Sequence, residues 1–109
     1  MTKAQKAKWI KALRSGKYKQ GRAYLYSATA NTYCCLGVAE CVVRRKPPHA
    51  IRGLAMPDDP VVSGNELGVL GVDEALARLN DASDDVGFPA PVPFEVIAGV
   101  IDQWVETED

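Results

Sequence analysis

Ala23-Tyr24-Leu25-Tyr26-Ser27-Ala28-Thr29-Ala30-Asn31-Thr32-Tyr33-Cys34-Cys35-Leu36-Gly37-Val38-Ala39-Glu40-Cys41-Val42-Val43-Arg44-Arg45 decides the fold class, because its side-chain period changes partway along. Ala23-Tyr24-Leu25-Tyr26 and Thr32-Tyr33 carry the aromatic and β-branched side chains that suit a pleated strand, and residues 27–31 between them form a turn. From Cys34 or Cys35 to Arg45 the period becomes helical. Cys35, Val38, Ala39 and Val42 share one face, and Leu36 and Val43 broaden it. Arg44, Arg45 and Lys46 complement the negative end of that helix, and Pro47-Pro48 stops it. A short β-hairpin running directly into a helix places the chain in the α+β class.

Working outward, Thr2-Lys3-Ala4-Gln5 is a capping box that opens a helix over residues 3–15. Trp9, Ile10 and Leu13 face inward, and Gly16 supplies the left-handed residue that ends it. Residues 47–65 hold four prolines, two adjacent aspartates and two glycines, which predicts an extended loop. Residues 67–80 contain a third helix, with Leu76 and Leu79 inward, and residues 81–91 form a second loop. Pro93 then opens a final helix on which Phe94, Ile97, Ile101 and Trp104 recur at helical spacing. Residues 106–109 form an acidic, frayed tail. The expected architecture is one domain over residues 1–109, with about four helices around a small hairpin.

The chain has 109 residues and a net charge of −1, which conceals a strong asymmetry. Residues 1–52 hold 12 of the 13 basic residues and one acid, Glu40; residues 53–109 hold one base, Arg78, and 13 of the 14 acids. A basic half of this kind points to an anionic partner, whereas two halves folding on each other would neutralise both. A homo-oligomer that sets basic against acidic surface lies between these readings. No apolar run is long enough to span a membrane, and no apolar core follows the N-terminal lysines, so neither membrane insertion nor secretion is expected. Three cysteines are an odd number, which suits a reducing cytoplasm better than a disulfide framework.

Ala12-Leu13-Arg14-Ser15-Gly16-Lys17-Tyr18-Lys19-Gln20-Gly21, Tyr33-Cys34-Cys35-Leu36-Gly37-Val38 and Leu79-Asn80-Asp81 ahead of the last helix together resemble a family of small uncharacterised proteins. Bacteriophages and bacteria, often actinobacteria, encode them. The double cysteine followed by Leu-Gly-Val is the most specific element. The family pattern often places a further cysteine shortly after the position of Val38; here Ala39-Glu40 intervene and the third cysteine is Cys41. The resemblance implies a phage or prophage setting and no established activity.

Three groups of residues could carry chemistry. The turn after Gly16 offers Lys17, Lys19 and Arg22 to neutralise phosphate, Tyr18 and Tyr24 as stacking faces, and Gln20 as a polar contact. It lacks the glycine-lysine-serine order of a P-loop. Asn80 and Asp81 either end a helix or read polar groups of a ligand. Cys34-Cys35 at a strand-to-helix junction could supply a nucleophile, but the lone His49 lies in a loop without support, so core packing is the favoured role. Adjacent cysteines do not form a zinc knuckle, and no metal or cofactor is expected. The leading expectation is a non-enzymatic, phage-encoded protein that captures a small anionic, nucleotide-like ligand, as in sequestering a host defence signal. A protein-binding inhibitor or adaptor using the acidic half, with a host protein as partner, is the first rival. A nucleic-acid-binding module using the basic half is the second.

Overall fold

The capping box closes as the sequence predicts: Thr2 Oγ1 accepts from the Gln5 amide at 3.1 Å, and Gln5 Oε1 accepts from the Thr2 amide at 2.8 Å. It opens α1 (Lys3–Arg14) in the computed structural model, which describes residues 1–21, 24–52, 73–81 and 92–108. Gly16 adopts φ +77°, the left-handed turn expected after the helix. Trp9 and Leu13 are the buried side chains of α1. The Trp9 indole donates to Cys35 O at 2.9 Å inside the core, which satisfies its one polar atom.

The hairpin is shorter than its aromatic content suggests. β1 (Tyr26–Ser27) and β2 (Thr32–Tyr33) pair antiparallel, with Tyr26 opposite Tyr33 and Ser27 opposite Thr32. Asn31 closes the turn at φ 54°, a conformation that asparagine tolerates better than most residues. The expected first strand over 23–26 is displaced: Leu25 leaves the sheet to pack in the core, and its carbonyl accepts from the Cys34 amide at 3.3 Å. Arg22 and Ala23 lie outside the described residues. The other edge of β2 is covered by residues 19–21, since Gly21 N donates to Tyr33 O and Tyr33 N donates to Lys19 O, both at 2.8 Å.

α2 (Cys35–Val42) begins where the period changes, capped by Cys34 Sγ, which accepts from Gly37 N at 3.3 Å. It ends three residues before Arg45, the expected limit. Arg45 sits at φ 57°, and Lys46 N donates to Glu40 O at 3.1 Å, so the chain turns out of the helix there. Residues 47–65 were expected to be loop throughout. Instead Pro48, with its φ preset, starts the short helix α3 (Pro48–Ile51), which buries Ile51 completely. The remainder of that loop, from residue 53, lies outside the described residues.

α4 (Asp73–Asp81) covers the second part of the expected third helix and buries Leu76; residues 67–72, and residues 82–91 of the following loop, are outside the described set. α5 (Phe94–Trp104) follows Pro93 and buries Phe94, Ile97, Ala98 and Ile101. Trp104 departs from the expected inward stripe: it is 49% exposed at the last turn, and Val105 fills the core behind it. The tail is not frayed at Glu108, whose amide donates to Met1 O at 3.1 Å and whose carboxylate meets the N-terminal ammonium at 3.1 Å.

α1 packs against α5 and α2, α2 also against α4 and α3, and α4 against α5, with the hairpin at one side of α2. The described residues therefore form a helix-rich α+β unit with five helices, one more than the sequence suggests because α3 is added. Among them, no helix is long and apolar enough to cross a membrane.

Two glycines inside helices give opposite expectations. A Cβ on Gly37 would collide with the Leu25 carbonyl, whereas one on Gly99 would meet nothing within 4 Å. Gly99→Ala should therefore stabilise the protein by about 0.5–1 kcal/mol through helix propensity. Gly37→Ala should lose about 1–3 kcal/mol despite the same propensity gain, because the backbones must separate. Urea denaturation of both variants checks the pair.

Candidate functional site

The extended segment 19–21 decides which expected site residues meet. Successive side chains of such a segment point to opposite sides. Gln20 turns inward, where its Nε2 donates to Asn80 Oδ1 at 3.1 Å and to Val92 O at 2.8 Å. Lys19 turns outward beside Lys17 and Tyr18. These three, with Ala30, Asn31 and Tyr33, line a pocket of about 270 Å³ between the turn after α1 and the tip of the hairpin.

The pocket is built on tyrosines. Tyr33 lies at its centre in the sheet, with Tyr18 edge-on at 5.0 Å between ring centroids and Tyr26 tilted against it at 4.8 Å. Lys17 Nζ stands 5.7 Å from the Tyr18 ring centroid, within cation–π range. The Tyr26 hydroxyl donates to Asn31 Oδ1 at 3.1 Å, which holds the turn in place. Burial, and then the neighbouring Cys41, push the Tyr18 and Tyr33 phenols above their ordinary value of 10.0. Both hydroxyls are protonated at neutral pH, a state in which a phenol can donate a hydrogen bond. Two ammonium groups, two neutral phenols and an amide make a lining suited to an anion that also carries a flat ring.

Asn80 is placed differently from the ligand-reading role expected of it. It is fully buried, and its Oδ1 accepts from Cys35 N at 3.2 Å as well as from Gln20. Its Nδ2 donates to Gly21 O at 2.8 Å. Gln20 and Asn80 thus meet each other behind the sheet, not in the pocket. Asp81 ends α4, and its side chain is outside the described residues, as is Arg22. Tyr24 is 45% exposed and does not line the pocket.

Ala30, Asn31 and Tyr33 are the pocket residues that the sequence did not single out. The hairpin turn that Asn31 closes and the strand that Tyr33 occupies were legible. What brings both opposite Lys19 is the pairing of residues 19–21 along β2, which has no short-range signature.

Cys34 and Cys35 are both fully buried in the core. The Cys35 thiol donates to Leu76 O at 3.6 Å, and the Cys34 sulfur caps α2. Neither offers a surface to a substrate. His49 is exposed on α3, and among the described residues no three His, Cys, Asp or Glu side chains cluster as a metal site. Cys41 is half-buried beneath the tyrosines; burial, then Glu40, raise its thiol above 9.0.

A helix-rich α+β unit with a lysine- and tyrosine-lined pocket is the class that these observations define. Residues 1–49 are similar to a family described as "Domain of unknown function (DUF8296)", a span that holds every residue of the pocket. No curated protein and no solved structure matches the chain.

Asn80→Ala should destabilise the protein by about 2–4 kcal/mol, because the Cys35 amide, the Gly21 carbonyl and the Gln20 amide all lose a buried partner. Guanidinium denaturation measures the loss. The raised thiol and phenols also predict a pH dependence. The unfolded chain releases these protons first, so the folded state holds more of them above the ordinary values and stability falls as pH rises. Thermal melts should weaken once pH passes 9.0, where Cys41 begins to ionise in the unfolded chain, and further past 10.0 with the tyrosines. Cys41→Ala should delay the onset.

Proposed function

We propose that the protein binds a small phosphorylated ligand of mononucleotide size at the pocket formed by Lys17, Tyr18, Lys19, Asn31 and Tyr33. The observation that carries this reading is the convergence of two lysines and two protonated tyrosines on one concave site. The lysines would neutralise phosphate, the phenols and the Asn31 amide would donate to its oxygens or to a ribose, and the face of a half-buried pocket tyrosine would stack on the base. Its volume of about 270 Å³ favours a compact ligand over an extended polyanion. Ligand pockets run from roughly 300 to 1,000 Å³, so this one falls just below that range and suits only a small ligand.

The role we infer is capture without turnover. The two buried cysteines pack the core, and His49 is on a different element from the pocket. In the phage or prophage setting that the sequence resemblance implies, sequestering a nucleotide-derived host signal in the cytoplasm is the use that fits such a protein. Arg22, which lies outside the described residues, stays in the proposal on sequence grounds alone.

A thermal-shift screen of mono-, di- and cyclic nucleotides tests the reading. A ligand at about one hundred times its Kd should stabilise the wild type by about 2.7 kcal/mol. Lys19→Ala should lose about 1.5–3 kcal/mol of binding, the worth of a hydrogen bond to a charged group, with little change in unliganded stability. No shift with any nucleotide, or equal shifts in wild type and variant, contradicts the proposal.

A further inference from the structure

A second concavity lies away from the tyrosine pocket, between α1 and the C-terminal end of α5. It has a volume of about 770 Å³, is open to solvent, and is lined by α1 side chains with Asp102 and Thr107 on its far wall. Lys3, Ala7, Ile10 and Arg14 stand four, three and four residues apart, so they lie along one face of α1. Ala7 and the half-buried Ile10 make an apolar floor. Lys11 and Arg14 are exposed along its rim; Lys3, exposed beside them, already has a partner of its own.

The fourth cation is used differently. Lys6 Nζ donates to Asp102 O at 2.8 Å and to Val105 O at 2.7 Å, so it caps the end of α5 and fixes the two walls relative to each other. The Met1–Glu108 ion pair at 3.1 Å ties the start of the chain to the residues that follow α5. The groove is therefore a preformed feature whose shape does not depend on an occupant.

We propose that this groove docks an acidic amphipathic helix of a partner protein. The apolar floor calls for one apolar stripe on the occupant, and the basic rim calls for carboxylates along its flank. The Asp102 carboxylate on the opposite wall disfavours a continuous phosphate backbone and favours an occupant whose negative charge is confined to one side. Protein docking would then use the basic half of the chain, where the sequence pointed to the acidic half.

Fluorescence anisotropy with a labelled synthetic peptide tests the proposal. The peptide is about 18 residues long, about five helical turns, with leucines on one face and glutamates on its flanks. The control has the same composition, scrambled so that no apolar face forms. Saturable binding of the amphipathic peptide alone is expected, weakened about tenfold or more by Lys11→Glu with Arg14→Glu and by Ala7→Glu. All three positions are exposed, so melting temperatures and nucleotide shifts should stay at wild-type values. A peptide with lysines in place of the glutamates should bind the charge-reversed variant better than the wild type. Equal binding of the scrambled peptide overturns the proposal, as does no saturable binding. Tighter binding of a single-stranded RNA that displaces the peptide also overturns it. So does a dimer in sedimentation equilibrium that the charge reversal dissolves, since a second copy would then own the groove.

Discussion

The buried side-chain amide of Asn80 is the contact on which the remaining arrangement depends. An amide moved from water into a protein core costs several kcal/mol unless its donors and acceptors are met. Asn80 meets them with groups from different parts of the chain: the Cys35 amide at the start of α2, the Gln20 side chain, and the Gly21 carbonyl. Gln20 extends the link to Val92, just before α5. One residue on α4 thus fixes the helix start, the strand-like segment and the entry to the last helix. Because Gln20 is held from behind, Lys19 is presented on the opposite side, and the pocket follows from that alternation.

Electrostatics in the basic half follow the same economy. Glu40, its single acid, is almost wholly buried, and its carboxylate receives Arg44 Nη1 at 3.1 and 3.2 Å and Lys46 Nζ at 3.6 Å. This satisfies a buried charge that would otherwise be strongly unfavourable. It also anchors the turn at Arg45, where the backbone takes a left-handed conformation without glycine. Lys6 is spent on the carbonyls at the end of α5. Among the described residues, Lys17 and Lys19 stand at the tyrosine pocket, and Lys11 and Arg14 stand on α1 beside the second concavity.

How much of this was legible follows from the range of each interaction. The capping box at Thr2, the left-handed Gly16, the apolar face of α5 from Phe94 to Ile101 and the switch of period before Cys35 are local, and each was read correctly; only Trp104, at the exposed last turn of α5, was misplaced. Local reasoning misjudged the end of α2, because the turn at Arg45 is supported by contacts with Glu40 from inside the helix. It missed α3, because two adjacent prolines ordinarily signal a break, while here the second one starts a helix that buries Ile51. At the pocket, the run of Lys17, Tyr18 and Lys19 was visible as composition. Asn31 and Tyr33 were not, since they join it only through pairing between residues 19–21 and β2. The role of Asn80 depends on partners 45 and 60 residues away, beyond any pattern in the sequence.

The central claim is that Asn80 holds the scaffold from within while ligand meets the opposite side of the same segment. A ¹H–¹⁵N correlation titration with adenosine monophosphate tests both parts in one sample. The account predicts that the backbone signals of Lys17, Lys19, Asn31 and Tyr33 move most. It also predicts that the Asn80 side-chain NH₂ pair and the Cys35 amide stay in place and exchange slowly with solvent. Rapid exchange of the Asn80 amide in the free protein, or shifts centred on Asn80 and Cys35 with the pocket signals unmoved, would contradict it.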